Sequence, residues 1–73
     1  MQYKLTAIIE KEDNEFVSLC PELDIASQGH TVEEAKRNLE EALTLFFECA
    51  SSEEIKENLS EEIYITPIEV AIG

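Results

Sequence analysis

Basic residues are scarce in this chain. Five Lys and Arg stand against seventeen Asp and Glu in 73 residues, a formal net charge of −12. Neutralising phosphates takes clustered Lys and Arg, so direct nucleic-acid binding is not expected. Glycine is rarer still: Gly29 and Gly73 are the only two, which excludes a Gly-rich loop cradling a nucleotide phosphate. The two cysteines, Cys20 and Cys49, lie far apart with no C-x-x-C or Cys/His cluster beside them. They read as free thiols of a reducing compartment rather than as a disulfide framework or a zinc site. No apolar run approaches the roughly 20 residues of a membrane span, and no basic-then-apolar leader opens the chain. A cytoplasmic protein without membrane contact, metal or cofactor is expected.

What remains is one small, acidic domain spanning 1–73. A chain of this length buries only about 60% of the surface its unfolded form exposes, so it is marginal alone. Oligomerisation is the remedy left once metals and disulfides are set aside, and a homodimer or higher oligomer is expected. The acidic balance has two readings: dispersal of a small protein in solution, or an acidic face that speeds encounter with a basic partner. On charge alone the first is simpler.

From Gln2 to Glu10 the side chains alternate, with Tyr3, Leu5, Ala7 and Ile9 on one face, which is strand period. Ile8 breaks the polar face. Lys11 to Glu15 is wholly polar and holds Asp13-Asn14, a natural tight turn. Phe16 to Cys20 is a second strand, and Pro21 stops its ladder or marks an edge. A third strand over Asp24 to Gln28 ends at Gly29. Thr31 then caps a helix, with Glu34 three residues on to complete a capping box by reaching back to the Thr31 N–H.

That helix, Val32 to about Phe47, carries an apolar stripe of Val32, Ala35, Leu39, Ala42, Leu43 and Phe46. Glu33 to Arg37 and Lys36 to Glu40 are four apart on its polar side, a spacing for ion pairs. Leu45 and Phe47 widen the stripe, for a covering loop or another subunit. Ser51 with Glu54 repeats the capping pattern and predicts a short second helix. Ile63, Ile65, Ile68, Val70 and Ile72 read as a last strand whose parity switches across Pro67, the mark of a bulge or edge distortion. The order is β-β-β-α-(α)-β, an α+β fold with an antiparallel sheet and one main helix on a face.

The chemistry-bearing residues give little. Most acids fall on the turn, the helix surface and the second helix, and neither Asp13 nor Asp24 sits in a D-x-D or EF-hand pattern, so no metal site is expected. His30, the only histidine, precedes the helix cap, could make a staple-like contact toward Ala35, and lacks a partner acid in sequence. Cys20 in its apolar strand reads as packed rather than nucleophilic, and nothing nearby activates Cys49.

Laid out this way, the chain resembles the HicB antitoxin family, in particular its short HicB-like domains. The matching residues are EFVSLCPELDIASQG (Glu15 to Gly29), HTVEEAKRNLEEALTLFF (His30 to Phe47) and the final IYITPIEV. The Gly-x-Thr-x-Glu-Glu-Ala portion in register with Pro-Glu-Leu carries most of the specificity. His30 stands where Asp is usual, and Asp24-Ile25-Ala26 replaces the commoner Pro-Gly-Cys.

The resemblance implies a partial RNase H-like fold without nuclease machinery. It also implies a function: neutralising a small basic HicA-type mRNA-cleaving toxin. The C-terminal DNA-binding segment of longer relatives is not expected in a chain ending at Gly73. With such a partner in view, the acidic surface gains a role. The pool for it is Glu10, Glu12, Asp13 and Glu15 around the turn and Glu33, Glu40 and Glu41 on the helix. The alternatives are a solitary homo-oligomeric HicB-like module, and a degenerate metal-dependent nuclease for which strand one offers only Glu10.

Overall fold

A computed structural model describes residues 3–73. Three strands come first: β1 (Ile8–Glu12), β2 (Glu15–Cys20) and β3 (Ile25–Gly29). They are followed by α1 (Val32–Cys49) and α2 (Ser52–Asn58). The sheet has the order β1-β2-β3 and both pairings are antiparallel. This is the α+β arrangement expected from the sequence, with α1 packed chiefly on β3 and β2.

The hairpin is tighter than expected. Only Asp13 and Asn14 form the turn, with Asp13 at φ 54°, a left-handed conformation that Asp tolerates. Lys11, Glu12 and Glu15 therefore belong to the ladder, and Glu12 stands opposite Glu15. At the other end the ladder stops at Ile8 opposite Leu19, so the expected strand over 2–7 is unpaired, and residue 2 lies outside the described residues. Pro21 ends β2 there, and the turn that follows holds Asp24 at φ 55°.

β2 points alternate side chains at α1. Ser18 and Cys20 are fully buried, and the Ser18 hydroxyl donates to the Ala35 carbonyl at 2.9 Å. Cys20, Leu23 and Leu39 form the core, and Leu5, Ile25, Leu43, Phe46, Phe47 and Leu59 pack around them. The helix can sit this close because Gly29 has no side chain: a Cβ there would lie 2.6 Å from the Ala35 nitrogen. Its φ is not positive, so closeness rather than conformation demands the glycine.

Thr31 caps α1 as expected, its hydroxyl accepting from the Glu34 N–H at 3.0 Å. The reciprocal half differs. The Glu34 carboxylate accepts from the His30 N–H at 2.9 Å, one residue earlier than the Thr31 N–H. Both halves of the second box are present at Ser51 and Glu54. α1 stops because Ala50 turns extended after donating to Phe46, and Ser51 at once becomes the next cap.

The expected last strand does not form within the chain. Residues 61–73 hold no strand: no ladder pairs them, and Pro67 removes an N–H from the middle of the run. A strand needs a partner, and this segment leaves the body after the Ser60 N–H bonds the Glu22 carbonyl at 2.8 Å.

Candidate functional site

The register fixes which side chains share a face. Ser18 and Cys20 look toward α1, so Glu15, Val17 and Leu19 look the other way. Their partners on that open face are Glu12, Glu10 and Ile8 from β1, with Gln28 and Ala26 from β3. Ile8, Val17 and Leu19 make a half-exposed apolar centre. Glu10, Glu12 and Glu15 surround it toward the hairpin end, and the paired strands contribute no Lys or Arg to this face.

The acidic pool thus divides in two. Glu10, Glu12 and Glu15 converge on the open sheet face, with Asp13 at the hairpin tip. Glu33, Glu40 and Glu41 are exposed on α1, which covers the opposite face. Glu40 and Glu41 border a shallow depression with Arg37, Thr44, Leu45 and Glu48, so one cation interrupts the negative charge there. The expected Glu33–Arg37 and Lys36–Glu40 pairs do not close. The one close contact of a nitrogen base with a carboxylate among the described residues brings His30 Nδ1 to 3.0 Å from Glu15 Oε1. Exposed helical pairs gain too little in water to hold two long side chains together. His30 turns to Glu15 and the sheet rather than toward Ala35, placing a titratable ring beside the acidic face.

Of the apolar members of this face, the sequence marks Ile8 as a break in the polar side, but it does not place Val17 and Leu19 beside it. Their signal was the continuous run Phe16 to Cys20 together with the intrusion of Ile8, which marks strands apolar on both sides. A one-faced sheet would have alternated.

A second feature lies between residues 3–7 and α1. A groove of about 590 Å³ runs there, its apolar lining including Tyr3, Leu5, Leu39, Leu43 and Phe47. It exists because α1 lies off-centre, over β3 and β2 more than β1. Tyr3 and Phe47 stack at its end with centroids 4.4 Å apart, and Phe46 meets Phe47 edge-on. Phe47 is therefore partly satisfied within the chain, whereas Leu45 stays 60% exposed.

The thiols differ. Burial pushes the Cys20 thiol above its ordinary pKa, and it donates to Glu22 Oε1 at 3.4 Å. Cys49 is exposed. Among the described residues no three His, Cys, Asp or Glu are grouped to hold a metal ion, and no helix is long and apolar enough to cross a membrane.

No family model matches the chain, and no solved structure matches it. Curated relatives do. A UPF0150 protein of Helicobacter pylori strain J99 is 35% identical over 70 residues, covering 94% of this chain and 97% of the relative. A UPF0150 protein of Synechocystis sp. is 44% identical over 64 residues, 85% of this chain and 88% of that one. Two relatives this similar along nearly their whole length establish that the chain belongs to the UPF0150 family.

Proposed function

We propose that this chain is an antitoxin-type protein that binds a small basic RNA-cleaving toxin of the HicA kind and blocks its substrate site. It works by binding rather than catalysis, inside the cytoplasm, and the open sheet face is the contact. The observation that carries this reading is the composition of that face: Ile8, Val17 and Leu19 at the centre, Glu10, Glu12 and Glu15 around them, and no cation from the paired strands. An RNA-cleaving protein gathers Lys and Arg where phosphates lie, and a row of carboxylates meets those cations in the phosphates' place. The apolar centre supplies desolvated contact, and the rim charges speed encounter and set register. Membership among UPF0150 proteins, which are small HicB-like proteins, supports the same reading. So does the resemblance to HicB-like domains, which implies a partial RNase H-like fold without nuclease groups.

The test is co-expression with a small basic HicA-type toxin, taken from the neighbouring reading frame if that frame encodes one. The wild type should restore growth and co-purify with it. Replacing Glu10, Glu12 and Glu15 together by Lys should abolish both, while Glu33→Lys, on α1, should not. Loss of protection from Glu33→Lys alone, or full protection by the triple variant, would reject the sheet face as the contact. A solitary homo-oligomeric module is the second reading, favoured by the exposed apolar segment after Ser60. Absence of any co-purifying basic protein would select it.

A further inference from the structure

The last thirteen residues form no strand, although their sequence has the composition of one. Tyr64, Ile68, Val70 and Ile72 are 81%, 81%, 72% and 93% exposed, and Ile65 is exposed too. The side-chain hydrogen bonds of this segment stay within it, Tyr64 to Glu62 and Thr66 to Pro67. A compact chain of 73 residues has a radius of gyration of about 11 Å, whereas this one has 14.4 Å and measures 50 × 28 × 16 Å. The segment is an arm reaching off the body. Its composition suits burial: β-branched and aromatic residues dominate it.

The body has the complementary defect. β1 is an edge strand whose outer side is unpaired, and residues 3–7 before it have no ladder at all. The other edge strand is partly engaged, since the Asn38 side chain donates to the Gln28 carbonyl at 2.7 Å. Beside the free β1 edge lies the apolar groove under α1, bordered by Tyr3, Leu5, Leu39, Leu43 and Phe47. An unsatisfied apolar segment and an unsatisfied apolar groove at a free edge therefore occur on one chain.

We propose that residues 61–73 of one copy seat in this groove on a second copy, extending its sheet at the β1 edge, and that the exchange is reciprocal. The root of the arm sets the geometry. Ser60 is bonded to the Glu22 backbone, and the Glu22 carboxylate is bonded to Thr6 at the mouth of the groove. Each arm thus leaves its own body beside the edge that receives its partner's arm. A two-fold axis there closes both exchanges at once and leaves no open end. The thirteen arm residues and the eleven that line the groove supply about two dozen residues a side, the size of a standard stable interface. The need is visible in the core, whose only buried apolar residues among those described are Cys20, Leu23, Ala35 and Leu39. The inference does not depend on any toxin.

Sedimentation of the full chain at micromolar concentration should give twice the 8.3 kDa chain mass. Ile68→Glu with Val70→Glu should weaken the dimer at least tenfold while leaving α1 helicity intact, because both side chains lie outside the body. A second measurement places the arm directly. In an equal mixture of isotope-labelled and unlabelled chains, filtered NOEs should connect arm methyls of one copy to the Tyr3 and Phe47 rings of the other. A monomer, an arm variant that still dimerises fully, or the same NOEs arising only within one chain would overturn the proposal.

Discussion

The Glu22 carboxylate accepts two hydrogen bonds from a single residue, Thr6: one from the backbone N–H at 3.0 Å and one from the hydroxyl at 2.6 Å. Because the Glu22 carbonyl also accepts from Ser60, this one residue joins the segment before β1, the turn after β2 and the exit from α2. It replaces the ladder that β1 loses where β2 reaches Pro21. Glu22→Gln keeps the shape but loses the charge, and it should cost about 1–2 kcal/mol. A double-mutant cycle with Thr6→Val, read by urea denaturation, checks it. Additive losses would mean the two residues are uncoupled.

The same latch gives stability an acid limb. Burial would raise the Glu22 carboxyl, but the hydrogen bonds from Thr6 outweigh it and hold it below the ordinary carboxylate value. Its contribution is therefore complete above the ordinary carboxylate pKa that the group has in the unfolded chain, and is lost as pH falls through the lower folded value. Melting curves of the wild type and Glu22→Gln should differ most above that pH and converge in stronger acid. A constant gap would contradict the assignment.

Gly29 admits no substitution. An added methyl would meet the Ala35 nitrogen at 2.6 Å and the Glu34 carbonyl carbon at 2.9 Å, both helix backbone that yields only if α1 lifts from β3. Gly29→Ala should cost about 1–3 kcal/mol, lowering Tm by about 4–8 °C per kcal/mol. Gly73→Ala, with nothing within 4 Å of the new methyl, should leave Tm unchanged.

Thiol chemistry separates the two cysteines. Cys49 is exposed and should react with an aromatic disulfide reagent in the folded protein. Cys20 is fully buried with its thiol held protonated, and it should react only on unfolding. One thiol titrating in buffer and two in denaturant is the expected count.

Salt distinguishes the two interfaces proposed. Each copy carries a net charge of −12, so copies repel, while a basic partner is attracted. Raising ionic strength from 0.1 M to 1 M shortens the Debye length from about 10 Å to about 3 Å. The homodimer should tighten and the complex with a basic toxin should weaken, both readable by sedimentation. Parallel trends would mean that one interface has been misassigned.

Where the sequence was legible, local patterns were strong. Thr31 and Ser51 mark both helix starts, Asp13-Asn14 the hairpin, Gly29 the end of β3, and the stripe from Ala35 to Phe46 the buried side of α1. What it concealed depends on distance in space. Nothing near Glu22 in sequence points to Thr6, sixteen residues away. Whether Ile63 to Ile72 pairs depends on an edge being present, which β propensity does not encode. The acidic pool looked like one surface because the sequence does not reveal that the hairpin and α1 carry their charges on opposite faces.

The off-centre seat of α1 also orders events in time. Its main contacts are with β3 and then β2, while β1 is barely covered. Residues 15–49 therefore make a contiguous unit whose contacts close over short loops, and it should assemble first. β1 joins afterwards, held by its hairpin and the Glu22 latch. In native hydrogen exchange the amides of β2 and of the Ala35 to Leu39 turn should be slowest, and those of β1 should open earlier. The strand that bears Glu10 and Glu12 is thus the part of the sheet with least helix cover, and its amides should gain protection when a second copy's arm seats along its edge.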